Sequence, residues 1–416
     1  MKARPDFRVP VDADFLLAGS SLQLECLVDA VRRRPSVALR AAFWAARGRE
    51  HLARELARHS DVDVTALPYR VETIEELRRE ANAGARLVLI ANGSEALAQR
   101  VADHLGVFAE VRDGEKGERR AAESGISLQA VLRALRPYQW LKNTLVFLPF
   151  LLAHEIRSGE KWIAATLMFA AFSLCASAGY VINDIFDRAQ DRRHPRRSRR
   201  PIASGAVPLA TALWLPLPLA ALAALCCVFL PPACGLALAV YLGLTVVYSI
   251  SAKKLIMADA MLLAGLYLLR LVAGSVATAN VVSHWLLAFA LMLFLSLALS
   301  KRVSELIAWR QLECDHSPGR SYRADDVPVL EMMAVASGFL ACLIMMLYIQ
   351  SPEILRLYRR PEYLWVGVAA LLYWLGRLFV YSHRGECPDD PLFFALQDRT
   401  TLVVLGAAAA LALFAV

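Results

Sequence analysis

The sequence lacks the paired cysteines that are typical of secreted proteins and of thiolate-bound metal centres. Its eight cysteines show no paired spacing, and five of them lie in apolar runs, where a thiol behaves as a small hydrophobic group. Neither a disulfide framework nor a zinc site is expected. The first 60 residues are charged and lack the apolar stretch of a signal peptide, so no signal peptide is predicted.

The content of polar residues is too low for an ordinary soluble protein. The chain has 416 residues, of which 57% are hydrophobic, and its mean hydropathy is +0.43. Its apolar runs are long enough to cross a bilayer. The net charge is +8, but the arginines cluster at the ends of these runs. They indicate membrane topology and phosphate contacts, and no nucleic-acid partner is predicted.

The N-terminal part alternates charged and apolar positions, which predicts a small soluble α/β domain over residues 1–125. Residues 86–91 form a short apolar run before a turn-forming Asn-Gly pair, as in a buried strand, and residues 95–105 have helical periodicity. Residues 28–59, rich in arginine, alanine and leucine, fit either a packed helical cap or a segment on the anionic membrane face.

The remainder, residues 126–416, predicts an all-α polytopic membrane domain with about nine transmembrane helices. The first segment is short for a span. The apolar segments are 143–156, 161–183, 207–230, 232–250, 256–279, 282–300, 328–350, 363–382 and 400–416.

Basic residues fall mainly in the loops that follow even-numbered segments. By the positive-inside rule, these loops and the N-terminal domain face the cytoplasm of an inner (plasma) membrane. Arg157 with Lys161, and the arginines at 356–360, fall on the opposite side but are outnumbered.

A run of carboxylates directly follows the second apolar segment. Asn183, Asp187 and Asp191 recur every four residues and share one helical face, with Asp184 beside them. Acidic side chains at the end of a membrane span are unfavourable and usually functional. Carboxylates without histidine or cysteine favour a hard cation, so the motif predicts a Mg²⁺–phosphate site at the membrane surface.

Several cations lie on the same predicted side and are candidates for phosphate contacts. Less specific interpretations also remain. The arginines after the aspartates fit a topology signal alone, Arg270 fits a buried structural pair, and Trp140 with Lys142 fits an interfacial anchor. The candidate cations are Lys142, Arg192, Arg200, Lys253, Arg270, Lys301 and Arg302.

The Asp-rich motif with its arginine- and proline-rich continuation resembles the first motif of the UbiA superfamily of intramembrane prenyltransferases. The resemblance covers residues 126–416, and nine helices is the number typical of that family. Further motifs are most similar to its decaprenyl-phosphate phosphoribosyltransferases: Arg136-Pro137-x-Gln139-Trp140-x-Lys142-Asn143, residues 194–205, Leu269-Arg270 with Gly274, and Lys301-Arg302-x-x-Glu305.

The resemblance implies that a polyprenyl phosphate attacks the anomeric carbon of phosphoribosyl pyrophosphate and that pyrophosphate leaves. The enzyme must then stabilise the charge of the leaving group. The implied Mg²⁺ ligands are Asp184, Asp187 and Asp191. The implied catalytic residues are Asp187, Asp191 and Asp259. The implied substrate contacts are Lys142, Asn183, Arg192, Arg200, Lys253, Arg270, Lys301 and Arg302.

One departure from the superfamily pattern favours the phosphoribosyltransferases. Many members carry a second D-x-x-x-D motif that binds Mg²⁺ and an isoprenoid diphosphate. Here Leu263 stands four residues after Asp259, which fits a phosphoribosyltransferase better than an aromatic prenyltransferase.

The N-terminal domain resembles a haloacid-dehalogenase-type phosphatase that has lost its active site. Asp12 and Asp14 stand where the D-x-D motif begins, but Phe-Leu follows instead of Gly-Thr. Ala91 stands where a phosphate-binding Thr or Ser is expected, and Lys116 has no acidic pair after it. A catalytically inactive domain is predicted. The alternative is that the two aspartates are simply turn residues.

Two other functions stay open on sequence grounds. One is transfer of an isoprenyl chain from its diphosphate to an aromatic or other acceptor. The other is a non-catalytic membrane scaffold or a transporter, although a transporter should show inverted repeats and the sequence has no convincing repeat. The polyprenyl length, the acceptor and the oligomeric state leave no signal in the sequence.

Overall fold

The computed structural model describes residues 8–91, 93–113, 126–194, 197–310, 321–386 and 398–415. The chain forms two compact units. The predicted division into residues 1–125 and 126–416 stays a prediction, because residues 114–125 lie outside the described part of the chain. The first unit comprises Met1–Pro137 and Ser177–Leu219, and the second comprises Tyr138–Ala176 and Ala220–Val416.

A parallel three-stranded sheet lies in the first unit. Strands β1 (Arg8–Asp12), β2 (Arg86–Ile90) and β3 (Glu110–Arg112) pair in this order, with Val11 opposite Leu89. The predicted strand is β2, and four of its five residues are buried, as expected where helices cover both faces of a parallel sheet.

Helices fill the rest of the N-terminal domain. The Ser21 hydroxyl starts the first of them by accepting a hydrogen bond from the Leu24 amide at 3.2 Å. The helix predicted over residues 95–105 is confirmed, and it ends at Gly106 in the left-handed region (φ 65°). These helices are α1 (Leu22–Arg33), α2 (Val37–Ala46), α3 (Arg49–His59), α4 (Val71–Asn82) and α5 (Glu95–Leu105).

Apolar helices dominate the remainder of the chain. In sequence order they are α6 (Leu128–Leu135), α7 (Leu148–Leu152), α8 (Gly159–Arg193), α9 (Leu209–Trp214), α10 (Pro216–Cys227), α11 (Pro232–Ile250), α12 (Ala258–Thr278), α13 (His284–Arg310), α14 (Val327–Ile349), α15 (Ile354–Leu357), α16 (Leu364–His383) and α17 (Arg399–Ala415).

In the described part of the chain, seven helical segments are long and apolar enough to cross a membrane: α8, α9 with α10, α11, α12, α13, α14 and α16. Two of the nine predicted spans differ. The first forms a 3-10 helix (Pro137–Phe147) followed by the short α7, and the last forms α17, which has 17 residues. The predicted class, a polytopic α-helical membrane domain after a small α/β domain, is confirmed.

Within the first unit, α1 packs against the end of α8. Val28 of α1 shares an apolar cluster with Val181 and Ile185 of α8. The backbones of Gly19 and Gly205 also approach closely, since a Cβ atom on Gly205 would lie 2.3 Å from the carbonyl oxygen of Ala18. Because Gly205 has φ 80° as well, only glycine fits at this contact.

Within the second unit, α12, α13, α14 and α16 share one core that includes Phe294, Leu299 and Trp374. Gly274 of α12 allows the 3-10 helix to come close, because a Cβ atom there would lie 2.1 Å from the carbonyl oxygen of Val146. This close approach brings polar residues of the 3-10 helix next to α12.

Candidate functional site

The Asp-rich motif occupies the end of α8, and two of its carboxylates are buried against arginines. Asp184 and Asp191 are each 2% exposed. Arg200 Nη1 lies 2.6 Å from Asp191 Oδ2 and 3.4 Å from Asp184 Oδ1. The Arg136 guanidinium also forms an ion pair with Asp184. The two carboxylates therefore converge on a single point, which a guanidinium nitrogen occupies.

The arginines of this cluster are more accessible than the carboxylates they bind. The side chain of Arg136 is 14% exposed and that of Arg200 is 25% exposed. Arg136 follows α6 in a left-handed conformation (φ 51°), and Arg200 lies in the loop after α8. A guanidinium binds phosphate with the same planar fork that it offers a carboxylate. These two arginines can therefore bind carboxylate and phosphate together.

The cluster offers oxygen ligands of the kind that Mg²⁺ prefers. Within the described ranges, no group of three or more His, Cys, Asp or Glu side chains is arranged to hold a metal. Mg²⁺, however, is commonly bound by one or two carboxylates and completes its shell with water and substrate phosphates. Asp184 and Asp191 meet that smaller requirement. The third predicted ligand, Asp187, is half-buried on the same helix and makes a polar interaction of its own.

Two further arginines of α8 bind Glu25, which comes from α1. Glu25 Oε2 lies 2.7 Å from Arg188 Nε, and Oε1 lies 2.8 Å from Arg192 Nη2. Glu25 is 1% exposed and Arg188 is 3% exposed. Burial raises the pKa of Glu25, but the two guanidinium groups outweigh it and lower the pKa to about 2. Glu25 is therefore ionised at neutral pH.

Arg192 was predicted to contact substrate, but its donors already have acceptors in the protein. Besides Glu25, it donates to the carbonyl oxygens of Ala203 at 3.0 Å and Ala66 at 3.3 Å. These contacts join α8 to the loop after it and to the N-terminal domain. The substrate role of Arg192 stays a prediction, and its contacts favour a structural one.

In the second unit, Arg270 is buried in the middle of α12. Its Nε donates to Asn143 Oδ1 at 2.8 Å, and its Nη2 donates to the Tyr241 hydroxyl at 2.9 Å. The guanidinium carbon lies 4.8 Å from the Tyr241 ring and 5.5 Å from the Tyr267 ring. Amide and hydroxyl oxygens and aromatic faces satisfy the guanidinium without cancelling its charge. This matches the interpretation of Arg270 as a buried structural group, although its positive charge also attracts anions.

Asp259 begins α12 and is paired on both sides. Its Oδ2 lies 2.6 Å from Arg302 Nε, and its Oδ1 accepts a hydrogen bond from the Tyr322 hydroxyl at 2.5 Å. Arg302 also pairs with Glu305 at 2.5 Å. Asp259 is 0% exposed, and Arg302 and Tyr322 are each 1% exposed. This cluster is closed to solvent.

The ion pairs described above do not include the other predicted residues. Lys142 Nζ lies 5.6 Å from the Tyr267 ring centre, and Lys253 is 4% exposed in the turn before α12. Lys301 and Asn183 are half-buried. Of the twelve residues, Asn183, Asp184, Asp187, Asp191, Arg192 and Arg200 belong to the first unit, and Lys142, Lys253, Asp259, Arg270, Lys301 and Arg302 to the second.

The aspartates of the N-terminal domain cap turns. Asp12 accepts a hydrogen bond from the Asp14 amide, and Asp14 accepts one from the Leu22 amide, both at 2.8 Å. Burial raises the pKa of Asp14 to about 6. These contacts match the turn-residue alternative. Lys116 lies outside the described residues, and the resemblance to a phosphatase stays a prediction.

Several residues in these clusters, among them Arg136, Glu25 and Tyr322, were not among the predicted site residues. Arg136 stood in a motif already noted, directly before Pro137. Glu25 left a weaker signal, since it is a carboxylate within the apolar stripe of α1, between Leu22 and Cys26. Tyr322 left none, because it meets Asp259 across 63 positions of sequence.

Comparison with known proteins gives a family match and a relative that aligns with nearly the whole chain. The profile of the UbiA prenyltransferase family matches residues 144–397. Uncharacterized protein y4nM of Sinorhizobium fredii is 30% identical, in an alignment that covers 95% of this chain and 89% of that protein.

Two further proteins are similar over part of the chain. Decaprenyl-phosphate phosphoribosyltransferase of Mycobacterium tuberculosis is 34% identical over 42% of this chain and 60% of its own length. The alignment thus spans less than two thirds of that enzyme. The structure of a digeranylgeranylglyceryl phosphate synthase has a TM-score of 0.51 at 18% identity, and covers 68% of this chain and 96% of its own. At this identity, the likeness concerns the fold alone.

Proposed function

Because the chain belongs to the UbiA prenyltransferase family, whose members are integral-membrane transferases, we propose that it transfers a 5-phosphoribosyl group from phosphoribosyl pyrophosphate to a polyprenyl phosphate and releases pyrophosphate. The lipid phosphate oxygen attacks the anomeric carbon as the bond from that carbon to pyrophosphate breaks. The attacking phosphate needs no proton transfer, so no general base is required.

The observation that carries the proposal is the carboxylate pair at the end of α8 with its accessible arginines. Arg136 and Arg200 bind the oxygens of the pyrophosphate group and stabilise the charge that grows on it as it leaves. Asp184 and Asp191, together with Asp187, would hold Mg²⁺, which neutralises pyrophosphate charge when bound. Asn183 shapes the same turn of the helix.

A second observation favours phosphoribosyl transfer over isoprenyl transfer. Asp259 is the residue nearest to a second Asp-rich motif, and Arg302 and Tyr322 already occupy its carboxylate. Among the described residues, the cluster at the end of α8 then remains as the candidate for a metal–diphosphate group. The similarity to decaprenyl-phosphate phosphoribosyltransferase supports the same substrate pair.

Among the predicted cations, the lysines are proposed for the lipid phosphate, as the family resemblance implies. Lys142 and Lys301 are half-buried, whereas Arg270 and Arg302 are deeply buried with several protein partners. We therefore assign phosphate binding to the two lysines, with Lys253 as a further candidate. The active site and the N-terminal domain are assigned to the cytoplasmic side of the inner membrane, and the N-terminal domain is taken to be catalytically inactive.

The test uses detergent-purified protein with Mg²⁺, a polyprenyl phosphate and radiolabelled phosphoribosyl pyrophosphate. Label should enter the lipid phase with the wild type and vanish with Asp187→Ala at unchanged thermal stability. If no label enters the lipid across several chain lengths, but a polyprenyl diphosphate is consumed with an aromatic acceptor, the protein is an isoprenyl transferase. If neither reaction proceeds, the scaffold alternative stands.

A further inference from the structure

Helix α2 of the N-terminal domain has two apolar faces, and the described residues of the chain cover only one of them. Val37 and Trp44 are buried against the domain core, at 1% and 8% exposure. Leu39 and Phe43, one turn apart, are 82% and 58% exposed. The face around these two side chains consists of the exposed alanines Ala38, Ala42, Ala45 and Ala46.

The charged residues of the segment that carries this face are all basic. Residues 32–49 contain six arginines and neither aspartate nor glutamate. Arg34, Arg40 and Arg47 are exposed and form no ion pair within the part of the chain that the structure describes. The Arg47 guanidinium carbon lies 4.3 Å from the centre of the Phe43 ring, so apolar and cationic groups form one continuous surface.

Contacts within the first unit place this surface near a bilayer. The start of α1 is joined to the C-terminal end of α8, a helix long and apolar enough to cross a membrane, by the ion pair of Glu25 with Arg188. Helix α1 has 12 residues, which is about 18 Å of helix. Helix α2 begins a short turn later. An apolar helical face flanked by arginines, at that distance from the end of a span, matches an interfacial amphipathic helix.

We infer that α2 lies in the headgroup region of an anionic leaflet, with Leu39 and Phe43 inserted and Arg40 and Arg47 on lipid phosphates. The charge argues against a second copy of the chain as the occupant, since a symmetric contact would bring two sets of arginines together. An anionic lipid surface complements both the apolar and the cationic groups.

The test places the photo-crosslinking residue p-benzoylphenylalanine at position 39 or 43 of the full-length protein, in nanodiscs of neutral or anionic lipid. Glu76, exposed on α4 of the same domain, is the matched control position. Lipid adducts should form at positions 39 and 43 but not at 76. In neutral lipid, the yield of lipid adducts at positions 39 and 43 should be lower than in anionic lipid by about fivefold or more. This factor corresponds to the loss of the attraction between one arginine and the anionic surface.

A charge variant distinguishes lipid binding by this surface from non-specific lipid binding by the whole N-terminal domain. Arg40→Glu with Arg47→Glu should reduce the adducts in anionic discs to the neutral level, while Arg78→Glu with Arg79→Glu on α4 should leave them unchanged. Thermal unfolding establishes that each variant is folded. Equal adduct yields at positions 39 and 76, or crosslinked dimers in place of lipid adducts, would overturn the inference.

Discussion

The two units each contain a buried carboxylate bound to an arginine, and the two clusters differ in what else can reach them. Asp191 in the first unit and Asp259 in the second both lie 2.6 Å from a guanidinium nitrogen. Arg200, the partner of Asp191, is 25% exposed, whereas Arg302, the partner of Asp259, is 1% exposed. Asp259 also has a hydroxyl partner in Tyr322.

This difference shows that a buried ion pair does not by itself identify an active site. An accessible arginine can exchange its carboxylate partner for a substrate phosphate at little cost in free energy. Water and the substrate replace the interactions that the exchange breaks. A sealed pair offers no such exchange, and breaking it leaves an uncompensated charge in a dry interior. The accessibility of the cation therefore distinguishes a proposed binding cluster from a structural one.

The largest expected effect is on turnover when the open cluster is changed. Asp191→Asn keeps the shape of the side chain but removes one of the two carboxylates that converge on the proposed site. We expect the rate of phosphoribosyl transfer to fall by about 10²–10³ or more, as for loss of one strong charge-stabilising group. Thermal stability should change little. Wild-type turnover with a lower melting temperature would make Asp191 structural instead.

The sealed cluster should respond in the opposite way. Asp259→Asn leaves Arg302 buried with less compensation, so we expect a loss of about 3–5 kcal/mol in the free energy of unfolding. Per folded molecule, turnover should stay within about tenfold of the wild-type rate, because Asp259 is not proposed to bind the transferred group. Denaturant unfolding and the transfer assay measure the two effects.

Tyr322→Phe is the milder control for the same cluster, because it removes one hydrogen bond and no charge. It should cost about 1–2 kcal/mol. If Asp259→Asn is folded but as inactive as Asp191→Asn, Asp259 returns to the catalytic role that the sequence analysis gave it.

A third change tests whether both kinds of cluster lie side by side on α8. Glu25 holds Arg188, only three residues from Asp191, in a pair almost as buried as that of the second unit. Because Glu25→Gln removes the charge that balances two buried guanidinium groups, it should destabilise the protein by about 3 kcal/mol. Glu25→Asp, which keeps the charge, should recover part of that loss.

The decisive measurement for Glu25 is the balance between stability and the kinetic constants. A structural role predicts normal kcat and KM per folded molecule of Glu25→Gln at low temperature. A specific rise of KM for phosphoribosyl pyrophosphate in a fully folded variant would show that Glu25 positions the open cluster as well.

The sequence was sufficient for the helical membrane class, because long apolar runs report local burial directly. It also predicted that the aspartates of the Asp-rich motif lie on one helix, whereas their role as metal ligands stays a prediction. It could not tell the two clusters apart, since the partners of Asp191 and Asp259 come from distant parts of the chain. Glu25 meets Arg188 across 163 positions, and no periodicity encodes such a contact. The shortened first span likewise depends on how closely Val146 packs on Gly274.

The smallest expected effect concerns Asp14, a carboxylate with a cap role, whose burial outweighs the hydrogen bond from Leu22 and the attraction of Arg49. Its pKa of about 6 lies above the ordinary value of 3.8, so the folded state binds the proton more tightly than the unfolded state. The free energy of unfolding should therefore fall as pH rises from about 4 to about 6, and stay low above that window.

Asp14→Asn keeps an acceptor for the Leu22 amide without the charge. After allowance for partial exposure, it should stabilise the protein by about 1 kcal/mol at pH 7.5 and by nearly nothing at pH 4. Glu76→Gln, the same change of charge at an exposed position, should show no such pH dependence. A stability difference between Asp14→Asn and the wild type that does not change with pH would mean that Asp14, like Asp191, has a partner that stabilises its charge.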